Sequence, residues 1–156
     1  MDLKNKPSDL VQRNPYGKVP VLVDGEGVIY ESAIIDEYLD EKFPQVRLMP
    51  ADLLLRAKAR IWVDYMSTRL HAAASDITHK REPEKAKQRM EQHLAALDKE
   101  MSGKKYLVGE YSLADVSFIP FYTRRERYEV TIDERYPNLK RWGEDLIARP
   151  RVAPTI

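Results

Sequence analysis

Residues 14–38 read NPYGKVPVLVDGEGVIYESAIIDEY, and the rest of the chain is organised around them. Asn14-Pro15-Tyr16-Gly17 is a cluster of breakers that ends whatever precedes it. A β-branched apolar run over 19–23 and a second over 28–30 predict two strands. Asp24-Gly25-Glu26-Gly27 between them supplies the glycines that a tight hairpin requires at positive φ. Ile34, Ile35, Tyr38 and Leu39 then recur at helical spacing, and Ser32 is placed to cap the helix start. The unit reads strand, hairpin, strand, helix.

Pro20 is the unusual residue. It cannot donate to a ladder, so it is expected at the beginning of the first strand. With a trans Val19–Pro20 bond it simply opens an edge strand. With a cis bond, the N–H and carbonyl of Val19 would turn into a groove where a peptide-like ligand could pair with both. Glu31-Ser32 follows at a helix N-terminus, where free N–H groups and the helix dipole favour a carboxylate and Glu31 could take an ammonium. From the residues alone two plainer readings stay open beside this one: Lys6 as an ordinary solvated charge, and Glu31-Ser32 as simple helix-start chemistry.

KVPVL, YES and EYLDEKFP together resemble the glutathione-binding signature of cytosolic glutathione S-transferases, in the second half of their thioredoxin-like domain. The resemblance implies a cis bond before Pro20, with Val19 pairing the cysteinyl backbone of glutathione. It gives Glu31 and Ser32 the γ-glutamyl end and Lys6 the glycine carboxylate. It also implies that the family's opening strand, helix and strand, with the group that activates the thiol, lie outside residues 1–156. No catalytic residue is therefore assigned, Tyr16 being the one tyrosine of this stretch to watch. Negligible turnover is the expectation for these residues by themselves.

Composition bounds the alternatives. Of the 156 residues, 43% are apolar and 33% charged, the balance of a globular protein. The formal net charge is +1, which gives no global bias toward nucleic acid or membrane. There is no cysteine, so neither a disulfide nor a cysteine nucleophile exists in these residues. No apolar run approaches a membrane span, and a cytoplasmic location is expected. His71, His79 and His93 do not share a spacing suited to one metal, and no metal site is assigned.

Outward from the signature, residues 7–11 predict a brief helix and residues 45–52 a linker. Only helices are expected after it. Asp52 caps a long one reaching about His79, Glu82-Pro83 opens the next, and Gly103 ends it. Tyr111-Ser112-Leu113-Ala114-Asp115-Val116 is a capping box with aspartate in the place of glutamate, and Pro120 predicts a kink or a break in the helix that follows. Ser112 and Asp115 resemble the family's helix-capping pair, a folding role. Leu139, Trp142, Leu146 and Ile147 mark the last amphipathic helix.

The expected architecture is thus two domains, α+β then all-α. A partial thioredoxin-like βββα-type remnant (1–48) precedes a transferase-like helical bundle (49–156). The expected function is that of a glutathione S-transferase-like protein, conjugating the thiolate of bound glutathione to small electrophiles if the family's opening segment is supplied. The alternative is a non-catalytic binder on the same fold, similar to the stringent starvation proteins attached to RNA polymerase. With the family's first strand absent, residues 19–23 would leave an open edge. That edge is expected to be covered by a second chain in a homodimer, by residues near the N-terminus, or by a further segment.

Overall fold

The computed structural model describes residues 8–155 and divides into two compact units between Arg47 and Leu48. Lys6 and the other residues near the start lie outside the described residues, so the expectations placed on them are not addressed by it.

The first unit opens with α1 (Ser8–Arg13), which buries Leu10. The Asn14 N–H donates to the Leu10 carbonyl at 2.8 Å and closes that helix. Strands β1 (Val21–Asp24) and β2 (Gly27–Tyr30) form an antiparallel ribbon. Val21 lies opposite Tyr30, Leu22 opposite Ile29, Val23 opposite Val28 and Asp24 opposite Gly27. Gly25 sits at φ 59° in the two-residue turn, a conformation that glycine adopts without steric cost. Among the described residues the sheet holds these two strands.

Helix α2 (Ser32–Lys42) follows at once and buries Ile35. Tyr38 and Lys42, one turn apart on α2, both donate to Oδ2 of Asp24 and tie the helix to the hairpin end. The Lys42 ammonium, then the Tyr38 hydroxyl, hold the Asp24 carboxyl below its ordinary range.

Two expectations are corrected here. The first strand begins at Val21, not at Val19, because Pro20 has no N–H to give the ladder. Ser32 does not cap α2: it is the first helical residue, and Glu31 occupies the cap position without a side-chain bond. The turn out of β2 needs one residue at positive φ, and that residue is Glu31 (φ 70°, ψ 115°).

The second unit is helical. Asp52 caps α3 (Leu53–Tyr65) by accepting from the Leu55 N–H at 2.9 Å. The helix continues through a π segment (Met66–Leu70) into α4 (His71–Thr78). α5 (Pro83–Glu100) starts after Glu82, which stands in the left-handed region. α6 (Leu113–Val116) and α7 (Ile119–Thr123) are the two halves of the helix that Pro120 was expected to interrupt. α8 (Pro137–Ile147) completes the unit. Its core runs from α3 to α8, and Phe118 stacks on Trp142 at 4.3 Å and 12°.

Candidate functional site

The ribbon's register decides what comes together in the first unit. Val21 is opposite Tyr30, so Val19 and Pro20, just before β1, and Glu31 and Ser32, just after β2, leave from the same end. The hairpin turn occupies the other end. Three of the four expected ligand-holding residues, Val19, Glu31 and Ser32, therefore share one end of the ribbon; Lys6 lies outside the described residues.

Each of the three offers backbone chemistry. The Val19–Pro20 bond is cis, and Val19 is 49% exposed. Among the described residues neither the N–H nor the carbonyl of Val19 has a hydrogen-bond partner. At the start of α2, Ile34 and Ile35 both donate to the Glu31 carbonyl at 3.0 Å. That leaves the N–H groups of Ser32 and Ala33 without partners among the described residues, at the positive end of an 11-residue helix dipole. Such an end is suited to a carboxylate. Ser32 is exposed, and its hydroxyl stands at the same end.

Glu31 adds a conformational signal. A residue with a side chain at φ 70° costs on the order of 1–3 kcal/mol, and such outliers gather at ligand clamps. The sequence marked Glu31 for its charge; the structure adds its backbone. One turn along α2, burial pushes the Asp36 carboxyl above its ordinary value.

The sequence reading passed over Asn14 as a turn residue. It is 1% exposed, with every polar group engaged. Its Oδ1 accepts from the Tyr16 N–H at 2.9 Å, its Nδ2 donates to the Lys18 carbonyl at 2.8 Å, and its own carbonyl accepts from the Gly17 N–H at 2.8 Å. In the sequence an asparagine followed by Pro15 and Gly17 signals a turn, and only the folded chain shows which carbonyl its side chain holds. Tyr16 itself is 64% exposed and meets the Tyr30 ring edge-on at 5.9 Å.

The capping pair belongs to the helical unit and is structural. Ser112 Oγ accepts from the Ala114 N–H at 3.3 Å, and Asp115 Oδ2 accepts from the Ser112 N–H at 3.0 Å. Oδ1 of Asp115 additionally accepts from the Leu107 N–H and from Trp142 Nε1–H, both at 3.1 Å. Burial pushes this carboxyl up while those bonds pull it down. The histidines are occupied separately. His71 meets the Phe121 ring edge-on, and His93 Nδ1 lies 2.8 Å from the Tyr65 hydroxyl. Among the described residues no group of three or more histidine, aspartate or glutamate side chains is arranged to hold a metal ion. Clefts of about 190 and 660 Å³ lie within the helical unit, the larger lined by Leu55, Ile61, Trp62 and Tyr106. No helix of the described residues is long and apolar enough to cross a membrane.

Comparison with known proteins gives a consistent result. The family model for the glutathione S-transferase C-terminal domain matches residues 56–150, and that for the N-terminal domain matches residues 1–41. A probable glutathione S-transferase of Nicotiana tabacum is 36% identical over 155 residues, covering 94% of this chain and 70% of its own length. Glutathione S-transferase U25 of Arabidopsis thaliana is 34% identical over 164 residues, covering 99% of this chain and 74% of its own. Among solved structures, a sphingomonad glutathione S-transferase complexed with glutathione superposes with a TM-score of 0.86 at 26% identity, covering 99% of this chain and 82% of that one.

Proposed function

The chain belongs to the glutathione S-transferase family, and from that premise we propose that residues 19–32 hold glutathione. The Val19 N–H and carbonyl pair with the cysteinyl part of the tripeptide. The free amides of Ser32 and Ala33, with the Ser32 hydroxyl, take the γ-glutamyl carboxylate, and Glu31 takes its ammonium. Lys6 is assigned the glycine carboxylate. The observation that carries this reading is the register of the ribbon, which brings the unpaired N–H and carbonyl of Val19 and an open helix start to one end.

The reaction served is addition of the bound thiolate to a small electrophile. A group that stabilises the thiolate near neutral pH supplies most of that acceleration. No residue among 8–155 is given that role, so the chain's own contribution is binding and orientation. The protein is proposed to be cytoplasmic and to form a symmetric homodimer that covers the open apolar edge of residues 19–23, where Val19 and Val23 are 49% and 47% exposed. Neither nucleic acid nor membrane is proposed as a partner. The alternative of a polymerase-attached binder finds no support in the relatives above, all named as transferases.

The test is titration of the purified 156-residue chain with glutathione, followed through backbone amide resonances. Val19, Ser32 and Ala33 should shift together and saturate. Absence of any shift at millimolar glutathione, in a chain that is folded, would remove the assignment. Light scattering and amide exchange on the same sample read the oligomeric state: a monomer whose Val21 and Val23 amides are nonetheless strongly protected would show that the ribbon needs no partner and would contradict the dimer.

A further inference from the structure

We propose that Asn14 is a positioning residue of this site: its buried carboxamide aims the Val19 N–H at the ligand. The inference rests on the reading that Val19 pairs with the tripeptide. It comes from the geometry of one peptide plane. The carbonyl of Lys18 and the N–H of Val19 belong to the same peptide group, which is planar. Among the described residues the cis bond is Val19–Pro20, so the Lys18–Val19 group is trans and its carbonyl and N–H point in opposite directions. Nδ2 of Asn14 grips the Lys18 carbonyl at 2.8 Å from the buried side. The Val19 N–H is thereby directed away from Asn14, and it is the group left without a partner among the described residues.

The anchor is itself held. Asn14 is fixed by its N–H to the Leu10 carbonyl of α1, and its Oδ1 and carbonyl close the turn through Tyr16 and Gly17. Gly17, buried and at φ 57°, lets the chain double back so that Lys18 passes within reach of the side chain that precedes it. A peptide group whose carbonyl is already bonded does not reorient when ligand arrives, so the ordering cost of pairing is met in the free protein. Leu10, Asn14 and Lys18 form a relay from a helix end to a ligand-facing amide, and none of the three has to touch the ligand for it to work.

The experiment uses S-methylglutathione as probe on the full 156-residue chain and two variants. Asn14→Asp keeps the volume and the acceptor for the Tyr16 N–H, but sets an oxygen against the Lys18 carbonyl. Asn14→Ser keeps a turn acceptor and is too short to reach Lys18. In each, the dissociation constant should rise about tenfold, the scale of losing one preorganised hydrogen bond. The Val19 amide should lose most of its ligand-induced shift while the Ser32 amide, at saturation, keeps its own. A purely structural role for Asn14 would diminish both shifts together. Either variant, folded by circular dichroism, binding the probe within about twofold of the natural chain overturns the proposal. If the natural chain does not bind the probe at all, it is the glutathione assignment that fails.

Discussion

Residues 48–155 bury a continuous apolar set from Met49 to Leu146, with Phe118, Phe121, Met66 and Trp142 at its centre. Residues 8–47 bury Leu10 and Ile35 and leave Val19, Val23, Val28, Ile34 and Phe43 exposed. Their shape comes instead from polar fastening, with Asn14 under one end of the ribbon and Asp24 gripped by Tyr38 and Lys42 at the other. A two-stranded ribbon is marginal by itself, so it contributes little to holding the chain folded. What it contributes is backbone groups in fixed directions. In this molecule the parts that would meet the ligand and the parts that store stability are different residues on different elements.

The sharpest way to break that contrast is Asp115→Ala. It strips a buried acceptor from Trp142, Leu107 and Ser112 at once, and at about 1–3 kcal/mol per orphaned donor the loss is on the order of 4 kcal/mol. Denaturant unfolding followed by helical signal measures it, and the amide shifts of residues 14–38 should stay in place below the transition. Movement of those shifts in the native range would show that the two regions are not separate stores. Gly143→Ala comes next. Glycine inside a helix is ordinarily a weakness, yet a Cβ here would lie 2.2 Å from the buried Tyr122 ring. The expected cost is about 2 kcal/mol from overpacking, read as a lowered thermal midpoint. Ser112→Ala removes one cap and should cost about 1 kcal/mol in the same measurement.

The smallest effect concerns pH. Burial first, and the charge of Arg124 second, hold the His71 imidazole below its ordinary 6.5. The unfolded chain then binds a proton that the folded chain refuses, so this contribution is complete above 6.5 and is lost as pH falls toward the lowered value. His71→Gln should flatten the acid side of the stability curve, with His93, shifted the same way by burial and then by Arg69 and Arg89, still contributing. A steeper acid loss in the variant would reverse the sign assigned here.

Much of this was legible in the residues, and the misses share a cause. Glycines in 24–27, Asp52, Pro83, the Ser112–Asp115 pair and Pro120 act within a few residues of themselves, and each produced the element expected of it. Ser32 was misplaced because local capping preference favours serine, whereas the exit from β2 demanded a positive φ one residue earlier. The π segment at Met66–Leu70 left no mark, since one extra residue in a turn changes no composition. Asp115 read as a cap and proved to be the acceptor for an indole 27 positions away, a contact that only the folded chain defines. The role of Asn14 was hidden likewise: the residue advertised a turn and concealed which carbonyl it would hold.

The tip of the hairpin offers a practical use of the ribbon's length. Gly25 has nothing within 4 Å of where a side chain would start, Glu26 beside it is exposed, and the chain contains no cysteine. Glu26→Cys therefore creates a single reactive thiol about 10 Å along the ribbon from Val21 and Tyr30. A fluorophore or a surface tether attached there would report on, or immobilise, the protein from the end opposite Val19 and Ser32. Immobilised this way, every molecule would present the same face outward, the geometry a flow-through binding sensor requires.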